Sequence, residues 1–178
     1  MNVTDQLKVP IITLPGNHEM RGMGQVLYRY YYGRVFYSFI YNQDQFILMD
    51  NSSETHFGIV QKLWLKYILK KYTSAKNRFV FFHVPLYDQR TIMHGDGIAD
   101  ENMREAQNME RILSAYSIQQ VFSSHLHGFY QGKWGELSYT ISAGAGAPLH
   151  AEPKENSFFN YVKVYVSPQS YDIHVVRL

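Results

Sequence analysis

The sequence predicts an α/β (α+β) fold, and three observations carry that reading. Strand-like and helix-like segments alternate in the first two thirds of the chain, and strands alone fill the last third. Short apolar runs end in turns that carry polar, chemistry-capable side chains, the arrangement α/β sheets use to lift residues into a crevice. The hydrophobic share is 46% against 18% charged residues over 178 positions, which places the chain among globular proteins and allows a sizeable core.

In chain order, residues 9–14 read as a buried strand leading into the turn Gly16-Asn17-His18-Glu19. Residues 21–32 read as an aromatic helix stopped by Gly33. Val35 to Tyr41 and Gln45 to Met49 read as a hairpin turning at Asn42-Gln43-Asp44. From Gly58 to Tyr72, Val60, Leu63, Trp64, Tyr67 and Ile68 fall at helical spacing, which assigns them to the buried face. Arg78 to Phe82 is a continuous apolar run, a strand buried on both faces. A loop over 86–101 precedes a helix over 102–116 and a strand from Ile118 to Ser123. Phe129–Trp134, Leu137–Ala143, Phe159–Ser167 and Tyr171–Val176 then read as antiparallel strands. The small-residue loop Ala143 to Pro148 lets backbone approach a ligand closely. No repeat, low-complexity segment or linker divides 1–178, so a single domain is expected.

Several function classes are removed by composition. There are no cysteines, hence no disulfides, thiolate nucleophiles or zinc–thiolate sites. The net charge is +2 with scattered Lys and Arg, and nothing forms a nucleic-acid stripe. No apolar run reaches the ~20 residues of a membrane span, and the first residues carry no signal-peptide core.

Three blocks carry the chemistry. They are Gly16-Asn17-His18-Glu19, then Phe81-Phe82-His83-Val84-Pro85, then His125-Leu126-His127-Gly128. In this order they resemble the calcineurin-like metallophosphoesterases, among them the purple acid phosphatases. The resemblance implies two packed mixed β-sheets flanked by helices. It also implies hydrolysis of phosphomonoesters or phosphodiesters by metal-activated water, with two ions drawn from Fe, Zn and Mn. The metal ligands carried over are Asn17, His83, His125 and His127. His18 would face the substrate as proton donor or charge stabiliser. The substrate class is a phosphorylated small molecule, a nucleotide or a phosphoprotein.

The family pattern also has an Asp-x-His and a Gly-Asp block before the Asn-His block, and neither is present in order here. The expectation is therefore an N-terminally truncated sandwich, about the C-terminal two-thirds of the fold. At most one ion would be held tightly, the activity would be weak or absent, and a homodimer would cover the shortened sheet. A non-catalytic binding module is the alternative. Cytoplasmic residence is expected if Met1 is the native start, and secretion or a periplasmic location if a leader precedes it.

Bottom-up geometry adds three further expectations. In an extended chain His125 and His127 would point to one face, about 6.5–7 Å apart. His94 and His150, in loops, are candidate substrate contacts. Asp96 or Asp100 are candidate replacement carboxylates, and Glu19 is expected to fix its turn or cap the next segment.

Overall fold

The computed structural model describes residues 6–52, 56–89, 100–168 and 170–178. Helix α1 spans Gly24–Tyr32 and is followed by the hairpin β1 (Tyr37–Tyr41) and β2 (Asp44–Leu48). Asn42 and Gln43 form its two-residue turn with φ of 48° and 71°, the left-handed pair that matches strand twist. Helix α2 (Ile59–Lys71) leads to β3 (Arg78–Phe81), and helix α3 (Asp100–Ser114) leads to β4 (Gln120–Ser123). Strands β5 (Phe129–Trp134), β6 (Leu137–Ser142), β7 (Asn160–Val166) and β8 (Tyr171–Arg177) complete the described elements.

Six strands form one mixed sheet in the order β1-β2-β3-β4-β6-β5. The central pairs β2–β3, β3–β4 and β4–β6 are parallel, and the two flanking pairs are antiparallel. Helices α2 and α3 lie on one face. There the row Ile47, Val80, Val121 and Tyr139 packs with Leu65, Ile68 and Leu69 of α2 and with Met109 and Leu113 of α3. Strands β7 and β8 form a two-stranded antiparallel sheet against the opposite face. Tyr171 ties it down, donating its hydroxyl to the Gln119 carbonyl at 2.6 Å and meeting the Phe79 ring edge-on. Two sheets with helices outside thus form as expected, the second being small and purely antiparallel.

Two element-level expectations are corrected. Residues 9–14 form no strand. Val9, Ile11 and Ile12 are 65%, 45% and 53% exposed, and no described strand pairs with them. The segment is instead pinned through Thr13, whose Oγ1 accepts from the Tyr28 hydroxyl and whose carbonyl accepts from Tyr37. An apolar run becomes a strand only where a neighbouring edge supplies its hydrogen bonds. In α2 the buried residues are Leu65, Ile68 and Leu69, while Val60, Leu63 and Tyr67 face outward. The helix is apolar on more than one side, so periodicity alone could not choose the face.

Candidate metal centre

The parallel core places the chemistry at the carboxyl ends of β3 and β4, the position open α/β sheets favour. The Phe82 N–H donates to the Phe122 carbonyl and the Ser124 N–H to the His83 carbonyl, at 3.1 and 2.9 Å. The ladder therefore runs up to His83 and holds the two site loops together. His83 Nε2 lies 3.0 Å from Asn17 Oδ1 and 3.2 Å from His125 Nδ1. The two imidazoles meet edge-on with centroids 5.1 Å apart.

Gly16 makes the approach of the first block possible. A Cβ there would stand 2.9 Å from His83 Cε1 and 2.9 Å from Glu19 Oε2. Glu19 closes the turn by accepting the Gly16 N–H at 2.8 Å, the turn-fixing role expected of it. His18 is exposed at the rim. Its charge and that of His127 both bear on His83.

Burial, then the neighbouring His125, holds the His83 imidazole down to about 4, with Glu19 opposing. At neutral pH the ring is uncharged, the state a metal ligand requires.

The His125-Leu126-His127 block is not extended. Strand β4 ends at Ser123, and His125 and His127 adopt φ of 67° and 42°. Leu126 between them is 1% exposed and belongs to the core. The tight turn sinks Leu126 and turns both flanking imidazoles outward, at a left-handed cost of about 1–2 kcal/mol per residue. The strand-geometry expectation for this pair is thereby replaced. His127 donates Nδ1–H to the Pro148 carbonyl at 2.8 Å, which leaves Nε2 with its lone pair. A carbonyl orienting a histidine's far nitrogen is the usual support for a metal ligand. The His150 ring stacks on His127 at 5.6 Å, and the His150 backbone N–H donates to the His127 carbonyl.

Of the remaining candidates, His94 and Asp96 lie outside the described residues, as does the Asp100 side chain. His174 packs against Tyr165 in β8. Sequence reasoning missed Asn51. Its amide donates to the Val84 carbonyl at 2.7 Å and accepts the Val84 N–H at 3.0 Å, bracing the turn that presents His83. A polar loop after β2 was the only available signal.

The donor set fits one ion. Two ligands each about 2.1 Å from a shared ion and about 90–100° apart lie about 3.0–3.2 Å from one another. That is the spacing His83 makes with Asn17 and His125. The two imidazoles suit zinc, iron or nickel better than magnesium or calcium. Among the described residues, no group of three or more His, Cys, Asp and Glu side chains has metal-holding geometry.

Comparison with known proteins agrees with this architecture. The calcineurin-like phosphoesterase profile matches residues 1–129. The chain belongs to the calcineurin-like phosphoesterase family, whose members generally use divalent metals. Among solved structures it is similar to the purple acid phosphatase PPD1 from yellow lupin (Lupinus luteus) seeds. The TM-score is 0.64 at 13% identity, over 82% of this chain and 30% of that one. No curated protein sequence matches the chain.

Proposed function

We propose that this chain contributes one metal-ligating half of a phosphoester hydrolase site. Asn17 Oδ1, His83 Nε2 and His125 Nδ1 hold one divalent or trivalent ion. The single observation that carries the reading is the convergence of two atoms, Asn17 Oδ1 and His125 Nδ1, on His83 Nε2. A bound ion would supply Lewis acidity toward a phosphoryl oxygen and toward water. His127, with Nε2 free to ligate or to donate, and exposed His18 stand at the rim to hold the phosphate or protonate a leaving oxygen. His150, stacked on His127, keeps that ring in place and adds a second imidazole toward a phosphorylated substrate.

The reading is tested by titrating the purified chain with Zn²⁺ and Mn²⁺ and then assaying an activated aryl phosphate. One tight equivalent, lost in His83→Ala, supports it. Absence of metal binding by the intact chain overturns it.

The wholly neutral donor set favours a second reading, a non-catalytic binding module. An ion held by Asn and His alone keeps its full positive charge and binds an anion well, so an anion can take the place of the attacking water. Tight binding of inorganic phosphate by the metal-loaded chain, without turnover, selects this reading.

A further inference from the structure

The face of the six-stranded sheet opposite the helices is only partly covered. Register places Phe39, Phe46, Phe81 and Phe122 on this face, one on each of β1, β2, β3 and β4. Their rings form a stacked ladder, with neighbouring centroids 5.0, 6.4 and 5.1 Å apart and interplanar angles of 8°, 20° and 15°. All four remain partly open to solvent. Two cavities of 580 and 540 Å³ share Phe46, Phe81, Phe122 and Val164, so they form one trench between this ladder and β7. Charged residues line it only near its ends, Glu19 at one and Asp44 with Lys76 at the other.

We infer that this trench is a dimer interface, in which a second copy lays its own Phe39–Phe46–Phe81–Phe122 ladder against the first. The shape is self-complementary. Strands β7 and β8 stand over the β4–β6–β5 side, where β8 residues line a cavity with Gln131, Lys133 and Tyr139. The β1–β3 side is the more open one among the described residues, with Ile12, Leu14 and Glu19 at its site end and Val164 of β7 along its margin. A two-fold axis along the strands sets the open side of each copy over the open side of the other. Both faces are then covered, with no change in either chain.

The same operation brings the free edge of β1 in one copy beside the free edge of β7 in the other. Among the described residues β1 pairs only with β2, and β7 only with β8. Two unpaired edges meeting beside an apolar floor are the elements of strand-to-strand association.

The area is sufficient. Ile12, Tyr41, Val164 and Val166 are 53%, 65%, 37% and 39% exposed. With the four rings they offer on the order of 600 Å² per copy, so roughly 1,200 Å² in all, the lower limit of specific interfaces. The ladder itself carries no charge, so a second copy meets no like-charge repulsion across the middle of the face. An uncovered aromatic face of this extent is also a liability for an isolated copy.

Sedimentation equilibrium of the intact 178-residue chain tests the inference. The expected mass at tens of micromolar is twice 20.8 kDa. Phe46→Lys with Phe81→Lys should weaken association at least tenfold while the far-UV circular dichroism is kept. If the lysine pair fails to fold, cysteine trapping decides, because the chain has no cysteine of its own. Tyr41→Cys chains mixed with Val166→Cys chains should form the mixed disulfide in preference to either homodisulfide. A monomer at about 100 µM, a dimer indifferent to the ladder and to the trap, or a monomer purified with lipid or peptide in the trench would each overturn the proposal. His83 lines the Glu19 end of the trench, so a parallel Zn²⁺ titration of the lysine pair and of the parent reads the metal site separately from association.

Discussion

Asn51 grips Val84 twice, donating to its carbonyl and accepting its N–H, across 33 positions of sequence. Asn51 is 2% exposed, so its amide is held out of water at both bonds. The pair joins the loop after β2 to the turn after β3, one residue beyond His83. Its consequence is positional: the His83 ring can meet Asn17 and His125 only if the chain leaves β3 along this path.

Removing that grip should therefore lower stability and metal affinity together. Asn51→Leu leaves the Val84 N–H and C=O without their partners, a loss of about 1–3 kcal/mol. Urea denaturation measures the first effect and Zn²⁺ titration the second. Unchanged metal affinity in a destabilised variant would show that His83 is positioned by β3 alone.

Gly128 closes the histidine block because no side chain fits there. A Cβ would stand 2.3 Å from Ala151 Cβ and 2.7 Å from the Asn156 carbonyl. Backbone on that second side cannot retreat as a flexible side chain would. Gly128→Ala should cost about 1–3 kcal/mol by overpacking. It should also displace His127 from Pro148, seen as a shift in the His127 imidazole NMR signals. A variant as stable as the parent would mean that the 151–156 segment yields freely.

Acid should destabilise the metal-free chain through His83. Its folded value of about 4 lies below the ordinary 6.5, through burial first and His125 second. The unfolded chain thus binds a proton at a pH where the folded chain does not. The stability His83 contributes is complete above about pH 6.5 and declines as pH falls toward 4, below which it is gone. Urea midpoints of chelator-treated protein at about pH 7.5 and about pH 5 should differ more for the parent than for His83→Gln. Equal pH dependence in the two would locate the effect in other groups.

Much of the fold was legible because local pattern and tertiary role agree in it. The hairpin around Asn42-Gln43, the apolar run ending at His83 and the four late strands all lie where periodicity puts them. The site was legible as blocks, since Asn17, His83 and His125 meet although 66 and 42 positions separate successive partners. Besides Asn51, three features were not legible. Residues 9–14 have strand composition, but β-structure depends on a neighbour that the run cannot specify. The exposed side of α2 is as apolar as its buried side. The left-handed backbone at His125 and His127 comes from the need to bury Leu126, a tertiary demand that outweighs local preference.

Turnover by the chain alone should be limited by its donor set. Asn17, His83 and His125 give an ion three neutral donors, and two-metal hydrolysis divides charge stabilisation between the attacking and leaving oxygens. One ion can serve only part of that work. Removing a single oxyanion-type contact costs about 10²–10³ in rate, and a missing second ion should cost at least as much. The metal-loaded chain should therefore bind about one equivalent and hydrolyse an activated aryl phosphate weakly or not at all. Any residual rate should vanish with chelator and fall in His18→Ala, because His18 stands exposed at the rim beside the Asn17 turn. Two tightly bound equivalents with full turnover would mean that a carboxylate outside the described residues completes the centre. Turnover indifferent to chelator would remove the metal from the mechanism altogether.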